Sequence, residues 1–492
     1  MLHKPHLVVI IGFVTLALLA GVASVLVAPS LVLWGLGGVI VLFCMVLFDS
    51  AKMLLVTVIL STAVDYNFWL EYRIKFGEFP VSIPDAVAVA YGIGIFAVLR
   101  LKRTRPISAG GVIGLCLTIW FLYNSTVSLF EGILASNPVY AILAESRLVF
   151  YAALAYFATL LVFRPERHLP IVMLAQIAAG LLVSIWQFGI TLLGRGQEPS
   201  QIVFETQFGI ARLLRDVGLP GTFAGTALVV LIIIQMMAPS VLGKLRRWAW
   251  GLVPLFVVAS VFSMTRTIWV SMALSIGLLL LFFVIAGRKA IRLSRLIILV
   301  AVFLVVIALV LMMGRILLTE VYQAIEQAWL LSFSYQDFSL VERWEQTREV
   351  WKSLGEDGWA FWTGLGFGNI GSGADKFRPF AGIHNAYMWY MVIGGLPGLL
   401  LFLALWMSPL IVYIRLLDRS LDAVAHAYVV ASIINWVTVS VVMLVSPALW
   451  TNAALFGMIL GIASVLGKTY AARNWLGRRR RGTICNARLQ QK

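Results

Sequence analysis

Long apolar runs recur along almost the whole chain, and they decide what it can fold into. Runs of roughly 15–25 residues with few charges occur about fourteen times. They lie at 7–28, 31–48, 50–64, 83–99, 110–130, 139–163, 169–193, 219–239, 248–264, 267–287, 294–314, 384–414, 423–446 and 449–467. Most are long enough to cross a bilayer core as helices; the second and third are short enough to form a hairpin broken at Asp49-Ser50. With 61% hydrophobic residues, 12% charged residues and a mean hydropathy of +0.95, the chain carries more apolar surface than a soluble core of its length can bury. Soluble multidomain enzymes, disordered chains and secreted disulfide scaffolds are excluded. The expected fold is all-α, a polytopic integral membrane protein with about fourteen transmembrane helices and one large outer loop.

Loop charges set the expected sidedness. Alternate loops are basic: Arg100, Lys102, Arg103 and Arg105; Arg164 and Arg167; Lys244, Arg246 and Arg247; Arg288, Lys289, Arg292 and Arg295; Arg415 and Arg419. The tail adds Arg478, Arg479, Arg480 and Arg481. This parity predicts both termini in the cytoplasm. It also directs the net charge of +16 toward anionic lipid rather than nucleic acid. The division that follows is a transmembrane bundle of about eleven helices over 1–314, a large outer loop over 315–383, further helices over 384–467 and a basic tail over 468–492. The first span has no convincing small-x-small cleavage site after it and reads as a retained anchor. No 20–50-residue repeat is visible. Cys44 and Cys116 lie in apolar spans and Cys485 in the basic tail, so no disulfide framework or zinc spacing is present.

Chemistry on the outer side is expected in three loops, 65–82, 194–218 and 315–383. The last contains Trp329, Trp344, Trp351, Trp359 and Trp362. Leu340 to Leu354 has helical charge spacing with Trp344 and Trp351 on one face. It reads as an amphipathic surface helix in the interfacial Trp belt, or as an aromatic platform for sugar rings. The glycine-rich stretch WTGLGFGNIGSG at 362–373 predicts a close-approach loop and lacks the Gly-Lys-Ser/Thr of a phosphate-binding loop.

His384 is the one histidine expected outside, because His3, His6, His168 and His426 fall on the cytoplasmic side. It opens a run, 384–414, about 46 Å long as a continuous helix, which predicts a kink at Gly394-Gly395 and Pro397-Gly398. A helix N-terminus disfavours imidazolium, and neutral imidazole is what a general base requires. The other reading of His384 is a solvated helix-start residue. Arg212 and Arg215 precede the eighth span, and Arg266 sits in a short outer turn. Arg147 lies eight residues inside the sixth span, about 12 Å along the helix, where an arginine is costly and needs an anion. Glu145 is about 200° round the helix from it, a poor direct partner. Snorkelling for Arg266 and a structural ion pair for Arg147 are the alternatives. A lipid-linked diphosphate would unite these groups: guanidinium forks match phosphate geometry and can stabilise a departing diphosphate without a metal.

Four stretches, in order, resemble the bacterial O-antigen ligase and O-antigen polymerase superfamily: RDVGLPGTF, FSMTRTIWVSMALSIGLLLLF, ERWEQTREVWKSLGEDGWAFWTGLGFGNI and HNAYMWYMVIGGLPGLLLF. The resemblance covers about residues 212–402. It implies an inner-membrane glycosyltransferase that takes a glycan from undecaprenyl diphosphate on the periplasmic side. The acceptor would be lipid A core, another lipid-linked repeat or a different hydroxyl acceptor, with other polysaccharide-assembly proteins as partners. No cofactor or metal is implied. Carried over residue by residue, Arg215 and Arg266 hold the diphosphate, with Arg212 an alternative to Arg215, and His384 is the base. Arg343 and Trp344 would belong to the loop wall of the site; apart from the resemblance, Asn385 and Arg147 are further candidates for binding substrate. Ala224-Gly225-Thr226 departs from the family's Asn-Pro-Asn-like run. Rival readings are a polysaccharide transporter and a structural subunit of an envelope complex.

Overall fold

A computed structural model describes residues 59, 74–76, 79–81, 111–193, 218–262, 266–285, 338–356, 358–368, 385–417, 419, 421–444 and 453–489. The expected spans at 7–28, 31–48, 83–99 and 294–314, and 50–64 apart from Ile59, lie outside the described residues.

The described chain is helical except for one antiparallel hairpin, β1 (Ile74–Phe76) and β2 (Phe79–Val81), with Ile74 opposite Val81. It falls in the outer loop expected at 65–82. The helices are α1 (Val112–Leu134), α2 (Val139–Val162), α3 (Pro165–Leu193), α4 (Gly218–Met237), α5 (Leu252–Phe262) and α6 (Arg266–Ile285). They continue with α7 (Phe338–Glu356), α8 (Ala360–Thr363), α9 (Ala386–Leu417), α10 (Ala423–Val442) and α11 (Ala453–Leu489). Among the described residues six helices are long and apolar enough to cross a membrane. The chain is a helical membrane protein.

Small residues set the closest helix contacts, as expected where lipid supplies no hydrophobic drive between helices. In α11, Gly457 and Gly461 form a Gly-x-x-x-Gly face against α2. A Cβ on Gly457 would strike the Ala152 carbonyl, and one on Gly461 would lie 2.6 Å from Thr159. Tyr156 and Ser464 hydrogen-bond across the same seam at 3.2 Å. Gly180 of α3 receives Ala227 of α4 in the same way.

Two contacts tie α3, α4 and α10 together at mid-length. Gly180 meets Ala227, and Asn435 Nδ2 donates to the Thr226 carbonyl at 3.3 Å. One end of the bundle follows from α2 and α11: Ala152 meets Gly457 and Thr159 meets Gly461, so the two run parallel, and the turn from α2 into α3 with Arg164 lies toward the Lys468 stretch of α11. Tyr470 of α11 donates to Asp422 at 2.5 Å at this end, and Lys468 Cε lies 3.8 Å from the Cβ position of Gly111. Arg164, Lys468 and the start of α10 beside Arg419 therefore share one end.

The kink expected in α9 is a reversal. Gly395 takes φ 61° and ψ −164°, open to glycine alone. Tyr390 and Phe402 would stand about 18 Å apart along a continuous helix, yet their rings stack at 3.6 Å. Residues 386–394 thus fold back on 396–417. The stack continues through Trp406, Trp436 and Phe456, with Trp406 Nε1 donating to Ser440 Oγ and Trp436 Nε1 to the Trp406 carbonyl.

Candidate functional site at the end opposite the basic loops

Ala386 lies at the far end of α10 from Arg419 and Asp422. Ser275 and Thr438 share a 2.8 Å hydrogen bond that ties α6 to α10. Arg266 opens α6 nine residues before Ser275, and α10 ends five residues beyond Thr438 at Met443. The Met443 carbonyl accepts the Ala386 amide at 3.0 Å. This end is opposite Arg164, Lys468 and Arg419.

Asn385 caps α9: its Oδ1 accepts from the Tyr387 amide at 2.9 Å and the Met388 amide at 3.3 Å. That commits its oxygen, leaving Nδ2 as the group for a ligand. His384, one residue earlier, and Arg212 and Arg215 lie outside the described residues. Arg343 belongs to α7, which Trp344 and Trp351 leave 75% and 48% exposed. Near its C-terminal end α7 docks through Leu354 on Ala360 and Met391. Arg147 is half-buried in α2. Because Gly457, four residues into α11, touches Ala152, Arg147 stands level with the start of α11 rather than well inside that neighbour.

The feature assembled most fully here is the glycine-rich turn, 364–368. Gly364, Gly366 and Gly368 take φ of 79°, 73° and 78°. Their missing side chains let the backbone lie against other backbone: Gly364 on Gly394, Gly366 on Gly132, Gly368 on Ile142. Such a turn must satisfy its own polar groups at the helix ends. Leu365 N donates to the Val392 carbonyl at 2.6 Å and Phe367 N to the Ser128 carbonyl at 2.9 Å. Gly368 N donates to Glu145 Oε2 at 2.7 Å. Asn137 Nδ2 donates to the Phe367 carbonyl at 2.8 Å, and Tyr123 Oη donates to the Gly394 carbonyl at 2.7 Å. Phe367 is fully buried.

The helix that receives this turn is itself irregular. Residues Asn124–Ser128 of α1 form a π-helical segment, a form that recurs at functional positions. Asn124 Nδ2 bonds back to the Trp120 carbonyl at 2.7 Å and Thr126 Oγ1 to the Leu122 carbonyl at 2.7 Å. These side chains compete with the regular ladder.

The stretch 362–373 was legible as a close-approach loop, and 364–368 behaves as one. Its receptors were not: Glu145 entered the sequence argument only as a poor partner for Arg147. The signal was a carboxylate inside an apolar span, which needs a donor somewhere. Among the described residues no group of three or more His, Cys, Asp or Glu side chains is placed to hold a metal ion. No protein-family model matches the chain, and no curated protein matches it.

Proposed function

We propose that the protein is a membrane glycosyltransferase of the O-antigen ligase or polysaccharide polymerase type. It transfers a glycan from undecaprenyl diphosphate to a hydroxyl acceptor on the periplasmic side of the bacterial inner membrane, with both its termini cytoplasmic. His384 takes the acceptor proton as oxygen attacks the anomeric carbon. Arg266, with Arg215 or Arg212, neutralises the departing diphosphate. Arg147, Arg343, Trp344 and Asn385 bound the substrate.

The observation that carries this reading is the capped start of α9 beside His384, held on the Met443 carbonyl at the far end of α10 from Arg419. That end lies away from Arg164, Lys468 and Arg419, as an exoplasmic reaction requires. The test is transfer from an undecaprenyl-diphosphate-linked glycan in reconstituted vesicles. His384→Ala, still folded, is expected to lose about 10²–10⁴-fold in turnover; wild-type turnover would sink the assignment. Lipid-linked glycan in a deletion strain then separates the two enzyme types: single repeats accumulate for a polymerase, long unligated chains for a ligase.

A transporter reading draws on one feature, the reversal in α9, since broken helices line transport sites. In that case His384→Ala would leave the lipid-linked donor unconsumed in both proteins, and wild type alone would move it across the vesicle.

A further inference from the structure

The connection between α4 and α5 sets three cations beside bare aromatic surface. Lys244, Arg246 and Arg247 are exposed, as are Leu245 and Trp250. Trp248 is 81% exposed, more than any other large hydrophobic side chain among the described residues. The segment is nevertheless pinned. Val241, Leu242 and Ala249 are buried in the core. Gln235 Nε2 of α4 donates to the Arg246 carbonyl at 2.7 Å. The Leu245 amide donates to the Leu242 carbonyl at 3.0 Å, and the Gly251 amide to the Trp248 carbonyl at 2.9 Å. Cations and ring are thus mounted on one fixed turn between two apolar helices. Their charge is not neutralised by the chain around them. Neither Asp nor Glu occurs between Asp216 and Glu320. None of the three cations forms an ion pair among the described residues.

We infer that this turn is a docking site for an anionic glycerophospholipid. Lys244, Arg246 and Arg247 hold the phosphodiester, and Trp248 with Leu245 takes the first carbons of the acyl chains. Guanidinium forks match phosphate oxygens. An indole is at home at headgroup depth, and an anionic leaflet attracts a basic juxtamembrane segment. An acidic segment of a soluble protein would answer the charges alone. The lipid answers the charges and the ring together, at the junction of two apolar helices where headgroup and acyl chain meet. The excess of basic loops bears on orientation only; here a particular turn binds a particular class of lipid. The inference is independent of the glycosyltransferase reading.

The experiment follows hydrogen–deuterium exchange over 243–251 in the full chain, in nanodiscs of phosphatidylcholine with increasing phosphatidylglycerol. Exchange is expected to slow about threefold or more as phosphatidylglycerol is added. Arg247→Gln is expected to raise the phosphatidylglycerol fraction needed for half of that protection about fivefold. Trp248→Ala is expected to raise it about threefold or more. The triple variant Lys244→Gln, Arg246→Gln, Arg247→Gln is expected to abolish the dependence; if it does not fold, Arg247→Gln carries the test. Gln in place of Arg478, Arg479, Arg480 and Arg481 is expected to leave the protection intact. Its loss there would put the lipid on the tail and overturn the site. Equal protection in pure phosphatidylcholine overturns recognition of the anion. Equal slowing by inorganic phosphate or polyglutamate in pure phosphatidylcholine discs makes the turn a general anion or acidic-protein site and overturns the lipid. Protection that grows with protein concentration in discs lacking phosphatidylglycerol assigns the turn to a second copy of the chain and overturns it likewise.

Discussion

Gly457 lies directly against the carbonyl oxygen of Ala152, so close that α2 and α11 leave no room for a methyl group between them. Gly457→Ala is expected to destabilise the protein by about 1–3 kcal/mol through overpacking. Gly225→Ala, whose added carbon meets nothing within 4 Å, is the matched control. Thermal unfolding in detergent, followed by loss of the monodisperse peak, reads the difference. Equal midpoints would mean that the two helices are not in this register.

The glycine-rich turn makes a sharper demand. Gly366 combines φ of 73° with contact on the Gly132 backbone, so Gly366→Ala is strained twice. It is expected to cost about 2 kcal/mol or more. Gly358→Ala, just upstream and in open space, is expected to change stability by less than about 0.5 kcal/mol. Proteolytic sensitivity of the segment should follow the same order.

Ser275 and Thr438 form a buried polar pair between α6 and α10. A double-mutant cycle with Ser275→Ala and Thr438→Val is expected to give a coupling of about 0.6 kcal/mol, with about 1.7 as a ceiling. A coupling near zero would remove this polar tie between α6 and α10.

Topology can be read by labelling. With the native cysteines replaced, Ser136→Cys and Lys244→Cys are expected to react with an impermeant maleimide from opposite faces of right-side-out vesicles, Ser136→Cys from outside. Labelling from one face at both positions would contradict the sidedness expected from the loop charges.

Transfer activity is expected to persist in excess chelator, because guanidinium groups carry the diphosphate charge in the proposed mechanism. Complete loss of activity, restored by magnesium, would count against that mechanism.

Among the described residues, apolar periodicity and length located several long helices closely. The run 139–163 became Val139–Val162, and 423–446 became Ala423–Val442. Gly394-Gly395 was legible as a break because no helix so long fits a bilayer. How far the chain turns there was not, since that depends on Tyr390 finding Phe402 across the fold. The tail shows another difference: the helix that begins at Ala453 runs on to Leu489, past the end of its apolar stretch. Polarity marked where the membrane span stops, not where the helix does. Glu145 could be seen as anomalous in sequence, but its partner is a backbone amide of a distant glycine, which no side-chain pattern announces.

The stacked rings of Tyr390 and Phe402 have a mechanical result. Residues 396–417 are about 33 Å long as a helix and suffice to traverse hydrocarbon unaided. The preceding arm is relieved of that duty and serves as a stiff bracket bolted to the scaffold by aromatic faces. Whatever is mounted on its Asn385 end inherits the rigidity of the scaffold rather than the slack of a loop.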